Sequence, residues 1–208
     1  MKRRFLALVL AGCLAAVLST AAWASETPTS VSTESELTTA LGDTAVTSIQ
    51  LKGNIDISNT LVVTKDVTLD LNGFVLQHEN RDANDSVIKI ESGTLTLVDS
   101  NPDAIHKFVK EATGLWTLNE NAGTEIVKGG VITGGTGSTY KYNNDIGQIV
   151  YNDCGGGVFV APGASFIMEG GNIVGCSAGK SGGGVKVTND GDFKMSGGTI
   201  SGCTAGGG

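Results

Sequence analysis

The chain has 208 residues, a formal charge of −7, 31 glycines, 3 prolines and 5% aromatic residues, which suits one domain plus a processing segment. The glycines come as GG and GGG clusters rather than at every third position, which excludes collagen, and the apolar residues recurring between them exclude a disordered chain. An acidic balance of this size argues against a nucleic acid or an anionic membrane held by charge.

Residues 1–24 read as a secretory signal. Lys2, Arg3 and Arg4 make a positive start, Phe5 to Leu18 is apolar, and Ala22-Trp23-Ala24 gives a small-x-small cleavage pattern before Ser25. Leu10-Ala11-Gly12-Cys13 also resembles a bacterial lipobox, with Cys13 as the lipidated residue. The apolar run continues past Cys13, which favours cleavage after Ala24. A lone transmembrane helix fits less well, because the run is short and contains Gly12 and Cys13. The expected location is extracellular or cell-surface, with no transmembrane helix in the mature chain. Without the leader, 11 basic residues face 21 acidic ones.

Residues 25–45 form the expected N-terminal cap. Thr33-Glu34-Ser35-Glu36 is a capping box, and Leu37, Ala40 and Leu41 share one helical face, so a short helix is predicted over 33–41. From residue 46 onward the pattern changes to alternation. Ile49/Leu51, Ile55/Ile57, Leu61/Val63 and Val67/Leu69/Leu71 mark short strands, with Asn72-Gly73 as a corner.

Two segments then break the rhythm. The first, about 101–123, is predicted as a hairpin of His106–Lys110 against Leu115–Leu118, or as a short helix on Ile105, Phe108 and Val109. The second is about 136–154. Between them, Thr124 to Gly135 follows the plan of Ser165 to Cys176, and Ile88 to Leu97 follows Val185 to Met195.

The strongest signal is a repeat. Gly155–Ala178 and Gly182–Ala205 match at 13 of 24 positions without gaps, at a period of 27, and a third copy opens at Gly206. Val158/Val160, Phe166/Met168 and Ile173 return as Val185/Val187, Phe193/Met195 and Ile200, while Phe159, Ile167 and Val174 become Lys186, Lys194 and Ser201. Apolar positions fixed two apart, with free positions between, belong to strands with one buried face. Three strands per unit are expected near 157–161, 164–169 and 172–176. Such a unit buries its face only by stacking on the next one in parallel, which sets Phe166 over Phe193, Met168 over Met195 and Cys176 over Cys203. The fold class expected is all-β: a right-handed parallel β-helix of about six coils over 46–208, with the helix as its cap. Gly206–Gly208 open a coil and give it no strand, so the chain reads as truncated at its C-terminus.

The pattern GGGV-x-V…F-x-M-x-GG-x-I-x-G-C, with Val67-Thr68-Leu69-Asp70-Leu71-Asn72-Gly73 upstream, resembles secreted right-handed parallel β-helix repeat proteins of bacteria. Many of these are described as surface or adhesin-like proteins, and the fold is shared with pectate lyases and polygalacturonases. The resemblance implies a scaffold that hosts both binders and enzymes.

Candidate ligand-binding residues fall in the two excursions. Outside the leader, the one tryptophan, Trp116, and all the tyrosines, Tyr140, Tyr142 and Tyr151, lie there, with Asn143 and Asp145 beside them. Flat aromatics among Asn and Asp suit a sugar ring. The competing expectation is that these aromatics pack as lids over Phe159, Ile167 and Val174. Asn189-Asp190-Gly191-Asp192 and Asn143-Asn144-Asp145 read as corners rather than calcium loops, and Glu79 to Asp85 as a solvated loop. Neither a metal site, nor a cofactor motif, nor a catalytic constellation stands out. Arg81, the single arginine outside the leader, lacks the surroundings that a lyase of the resembling families would imply. Cys176 and Cys203 are expected to be free thiols, because in-register parallel side chains have the wrong torsion for a disulfide. The function expected is a secreted binding or scaffold protein, with an extracellular glycan or surface protein as partner. The alternative is a polysaccharide-degrading enzyme.

Overall fold

The computed structural model describes residues 27–79, 85–144 and 147–207. The expectations for the leader 1–24 with Cys13, for Arg81 and Asp82, and for Asp145 lie outside these residues.

The described residues are mostly β, with one short helix. They open with β1 (Thr29–Val31) and α1 (Glu34–Gly42). A round of three strands follows: β2 (Ser48–Leu51), β3 (Ile55–Ile57) and β4 (Leu61–Val63). The next round is β5 (Val67–Asp70), β6 (Val75–His78) and β7 (Ile88–Ile90). The third begins with β8 (Thr94–Val98) and is interrupted by β9 (Ile105–Lys110), β10 (Trp116–Leu118) and β11 (Glu125–Lys128) before β12 (Val131–Thr133). It is interrupted again by β13 (Ser138–Asn144) and β14 (Gly147–Cys154) before β15 (Val158–Val160) closes it. The last rounds are β16 (Ser165–Met168), β17 (Asn172–Val174), β18 (Ser177–Ala178) and β19 (Val185–Val187), then β20 (Asp192–Met195), β21 (Thr199–Ser201) and β22 (Thr204–Ala205).

Successive rounds lie side by side in parallel sheets. The first sheet has the order β1-β2-β5-β8-β16-β20, the second β3-β6-β12-β17-β21 and the third β4-β7-β15-β19. The repeat sets the register. Phe166 pairs with Phe193 and Met168 with Met195, Val158 with Val185, and Ile173 with Ile200. The two phenyl rings stack with centroids 5.2 Å apart and planes 11° from parallel. Alternation decides which side chains go inward: Ile49, Leu51, Ile55, Ile57, Leu69, Leu95, Leu97, Phe166 and Met168 are all buried in one continuous core. Each such side chain contributes about 1.5–3 kcal/mol by leaving water.

At the front, α1 covers the core with Leu37, Ala40 and Leu41, the three residues its periodicity selects. The Thr33 hydroxyl accepts from the Glu36 amide at 3.2 Å. Glu36 reaches back one residue further than a capping box requires, accepting from the Ser32 amide at 2.7 Å. Lys65 closes the other end, donating to the carbonyls of Ala40, Asp43 and Val46, where a cation complements the helix dipole. The cap region also holds β1, which adds a strand to the first sheet.

Of the two alternatives for this excursion, the structure shows the hairpin of His106–Lys110 against Leu115–Leu118 and not the helix: Trp116 stands opposite Lys110 and Leu118 opposite Phe108, with β9 the central strand of an antiparallel three-stranded arm. One expectation is corrected. Glu125–Lys128 does not stack on Ser165–Met168. It pairs antiparallel with β9, and Ser165–Met168 pair directly with Thr94–Leu97. The reason is burial: Leu95 and Leu97 supply two inward apolar residues, whereas Glu125, at the position of Phe166, would bring a charge into the stack. The first excursion therefore runs to Gly129, and the body resumes at β12.

Candidate functional site

The arm formed by β9, β10 and β11 is the candidate site. Its inner face is set by alternation along β9, where His106 and Phe108 turn toward the body and Ile105, Lys107 and Val109 turn away. Trp116 lies on that inner face at 8% exposure and packs with Val75, Phe108, Val131 and Val174. Its ring is 6.3 Å from that of Phe108. Beneath it run the glycines of two successive rounds: a methyl group built at Gly202 would lie 2.5 Å from the indole, and one at Gly175 would overlap it. The Gly-Cys step of the repeat thus leaves a slot that the indole fills.

Hydrogen bonds lock the arm in place. The Trp116 amide donates to the Gly175 carbonyl at 3.0 Å, the Leu118 amide to Gln77 Oε1 at 2.9 Å, and the Thr133 hydroxyl to the Trp116 carbonyl at 3.1 Å. His106 Nε2 lies 2.6 Å from the Gly73 carbonyl and Nδ1 lies 2.9 Å from Glu120 Oε1. A carbonyl only accepts, so Nε2 carries the hydrogen in that bond. Asp99 ties both roots of the arm to the body, accepting from the Gly73 and Gly130 amides at 2.7 Å each.

The outer face is unlike the rest of the surface. Ile105 is 56% exposed and Ile126 66%, with exposed Val109 beside them. Lys107 stands opposite Ile126, and Lys128 opposite Ile105. Lys107, Lys110 and Lys128 form no ion pair among the described residues. The carboxylates of the arm face elsewhere. Glu120 accepts from His106 and the Lys107 amide, Glu111 from the hydroxyls of Thr113 and Thr117, and Glu125 pairs with inward Phe108. Lys128 also borders a groove of about 340 Å³ with Glu169 and Asn172.

The second excursion is an antiparallel hairpin. Tyr140 is paired with Tyr151, Tyr142 with Ile149 and Asn143 with Gln148. The side chains of Tyr140, Tyr142, Asn143 and Tyr151 lie outside what the structure describes. At its root, Cys154 packs with Phe159 and Ala161. Trp116 over Val174 follows the lid expectation rather than the open-platform one.

The buried acids are struts. Asp70 accepts from Gln50 Nε2 and the Ser100 hydroxyl at 2.7 Å each, from the Asn72 amide at 2.8 Å and from the Ser100 amide at 2.9 Å. Burial pushes its carboxyl up, but these four donors outweigh burial and hold it below its ordinary value. Asp99 is likewise spent on amides. No group of three or more His, Cys, Asp or Glu side chains stands together as a metal needs, among the described residues. Cys176 and Cys203 are not joined by a disulfide. The neighbouring Cys203 and complete burial push the Cys176 thiol well above the ordinary range. Among the described residues no helix is long and apolar enough to cross a membrane.

Sequence reasoning found Trp116 and missed the outer face. The signal was present in Ile105, Lys107 and Val109 alternating against His106 and Phe108, but its sense depends on which side meets the body. No protein-family model, curated protein or solved structure matches the chain.

Proposed function

We propose that this chain is an exported parallel β-helix whose stacked rounds serve as a rigid mount, and whose three-stranded arm meets a protein partner. It acts as a surface binding or scaffold module, not a catalyst. The observation that carries this reading is the outer face of the arm, where Ile105, Val109 and Ile126 stand in water on an element anchored by Trp116, His106 and Asp99. Exposed apolar side chains in a contiguous group mark interaction surfaces, and a firmly docked element loses little freedom on binding. Aliphatic side chains suit a protein. A sugar ring is better served by an open aromatic, and the aromatic of this arm faces inward.

The mature protein, immobilised and tested against purified extracellular matrix and cell-surface proteins beside a glycan array, tests the reading. Binding to a protein is expected, weakened at least about tenfold by Ile105→Ser with Ile126→Ser, the loss of two interface anchors. Binding of glycans alone, or equal binding by the double variant, overturns it.

A further inference from the structure

We infer that this chain associates with copies of itself: the outer face of one molecule's arm docks into an acidic-apolar groove between α1 and β4 of the next. This rests on the reading of the arm as the protein-binding face and names its partner. The acid of the chain is concentrated toward the front. Residues 25–99 carry 12 acidic and 4 basic residues, whereas residues 100–208 carry 9 and 7. Three of the front acids converge on one corner. Glu34 of α1 accepts from the Ser58 and Asn59 amides at 3.0 and 3.2 Å, and Glu79 from the Ser58 hydroxyl at 3.0 Å. Asp85 accepts from the Thr60 hydroxyl at 3.3 Å and stands 4.0 Å from His78 Nε2. The lysines of the first two rounds are turned to other groups. Lys52 donates to Gln50, Lys65 to the carbonyls behind α1, and Lys89 pairs with Glu91 at 2.9 Å.

The corner opens onto a groove in two connected parts. Glu34 borders a hollow of about 390 Å³ with Thr38, Asn59 and Thr60. Thr38 and Thr60 also border a second, of about 280 Å³, whose other walls include Leu41, Leu61 and Val62. Val62 is 38% exposed there. Carboxylates at one end and aliphatic side chains at the other fit a surface that sets cations beside branched apolar residues. The outer face of the arm is such a surface, with Lys107 next to Ile126 and Lys128 next to Ile105. Opposite potentials bring the two faces together and fix their sense, and the aliphatic side chains gain by leaving water. The arm cannot serve the groove of its own molecule, because Trp116, His106 and Asp99 hold its inner face on the body. Arm against arm would set lysine against lysine. Arm and groove are different surfaces, so the contact is heterologous and repeats as a ring or an open row.

Sedimentation velocity of the mature protein over a range of concentrations tests this. The mass is expected to rise above that of the monomer with concentration and to fall back as salt is raised, because surface charges are screened. Lys107→Glu with Lys128→Glu should weaken association at least about tenfold, as should Glu34→Lys with Glu79→Lys, since each sets like charge against like. Mixed together, the two variants should associate again: the intact groove of the first meets the intact arm of the second, and reversed arm meets reversed groove. Val62→Lys, at an exposed position outside the hydrogen bonds of the cap, should weaken association by a similar factor. A protein that stays monomeric at every concentration overturns the inference. If it still binds a panel protein through Ile105 and Ile126, the arm remains a protein-binding face and self-association fails alone. Association that survives both charge reversals overturns the inference, as do variants that keep the wild-type circular dichroism yet do not recover on mixing.

Discussion

The seat of Trp116 on the repeat glycines gives a prediction with different magnitudes in two backgrounds. Gly175 has φ +53°, and a methyl group there would overlap Trp116 Cγ and Cβ and lie 2.5 Å from Cδ1. Gly175→Ala therefore carries two penalties. A left-handed alanine costs about 1–2 kcal/mol, and forcing a methyl group into a filled slot costs about 1–3 kcal/mol more. The single variant should lose about 2–5 kcal/mol. Trp116→Gly, which removes the ring and the Cβ that Gly175 faces and so empties the slot, should lose at least about 3–5 kcal/mol on its own, the usual cost of truncating a buried tryptophan. In that background Gly175→Ala meets no ring, so only the backbone cost of about 1–2 kcal/mol remains. The double variant should then be more stable than the sum of the singles by about 1–3 kcal/mol, the part that belongs to the clash. Urea unfolding followed by far-ultraviolet circular dichroism reads all four proteins, because that signal does not depend on the tryptophan. Slopes must be compared as well as midpoints, since a stacked array need not unfold as one unit. Additivity within about 0.5 kcal/mol refutes the placement of the indole on Gly175.

The inner stack gives a second test. Phe166→Ala should cost about 3–5 kcal/mol, Phe193→Ala less because its ring is only partly buried, and the two should couple by about 0.5–1.5 kcal/mol beyond area. A coupling of zero in the same urea experiment means that the rings do not stack. Asp70 predicts acid sensitivity. Its folded carboxyl sits below the ordinary 3.8, so its stabilisation is present above that value and is lost as pH falls through the folded value. The stability gap between wild type and Asp70→Asn should be widest near neutrality and shrink toward about pH 3; a gap that stays constant contradicts this. Thr33→Ala should lower the thermal midpoint by removing the helix cap, worth about 0.5–2 kcal/mol, and Thr33→Ser should restore most of it.

Much of the body is legible in the sequence. Phe166 and Phe193, Met168 and Met195, and Val158 and Val185 occupy equal positions in two copies of one unit. Strands with one buried face have no better way to cover it than like upon like. The helix at Leu37, Ala40 and Leu41 is equally plain, because its periodicity and its cap agree. The segment from Glu125 to Lys128 was misread for a physical reason. Ile126 and Val127 fit the repeat template as letters, but the template says nothing of the competing strand at His106–Lys110, which offers them an antiparallel partner and spares the core the charge of Glu125.

The candidate site was less legible. Trp116 stood out as the lone tryptophan after residue 24, yet composition does not say whether a ring faces water or a glycine slot in later rounds. Alternation along Ile105 to Val109 announces two faces without saying which one is covered. What the amino-acid order determined by itself was the unit, its period and the inward residues of each strand, since these follow from local geometry and from burial repeated at fixed spacing. Only the tertiary structure decided where the arm lies and which of its faces is outward. That choice is made by groups far apart in the chain, Trp116 against Gly175 and Gly202, His106 against Gly73 and Asp99 against Gly130, and their meeting depends on how the rounds stack.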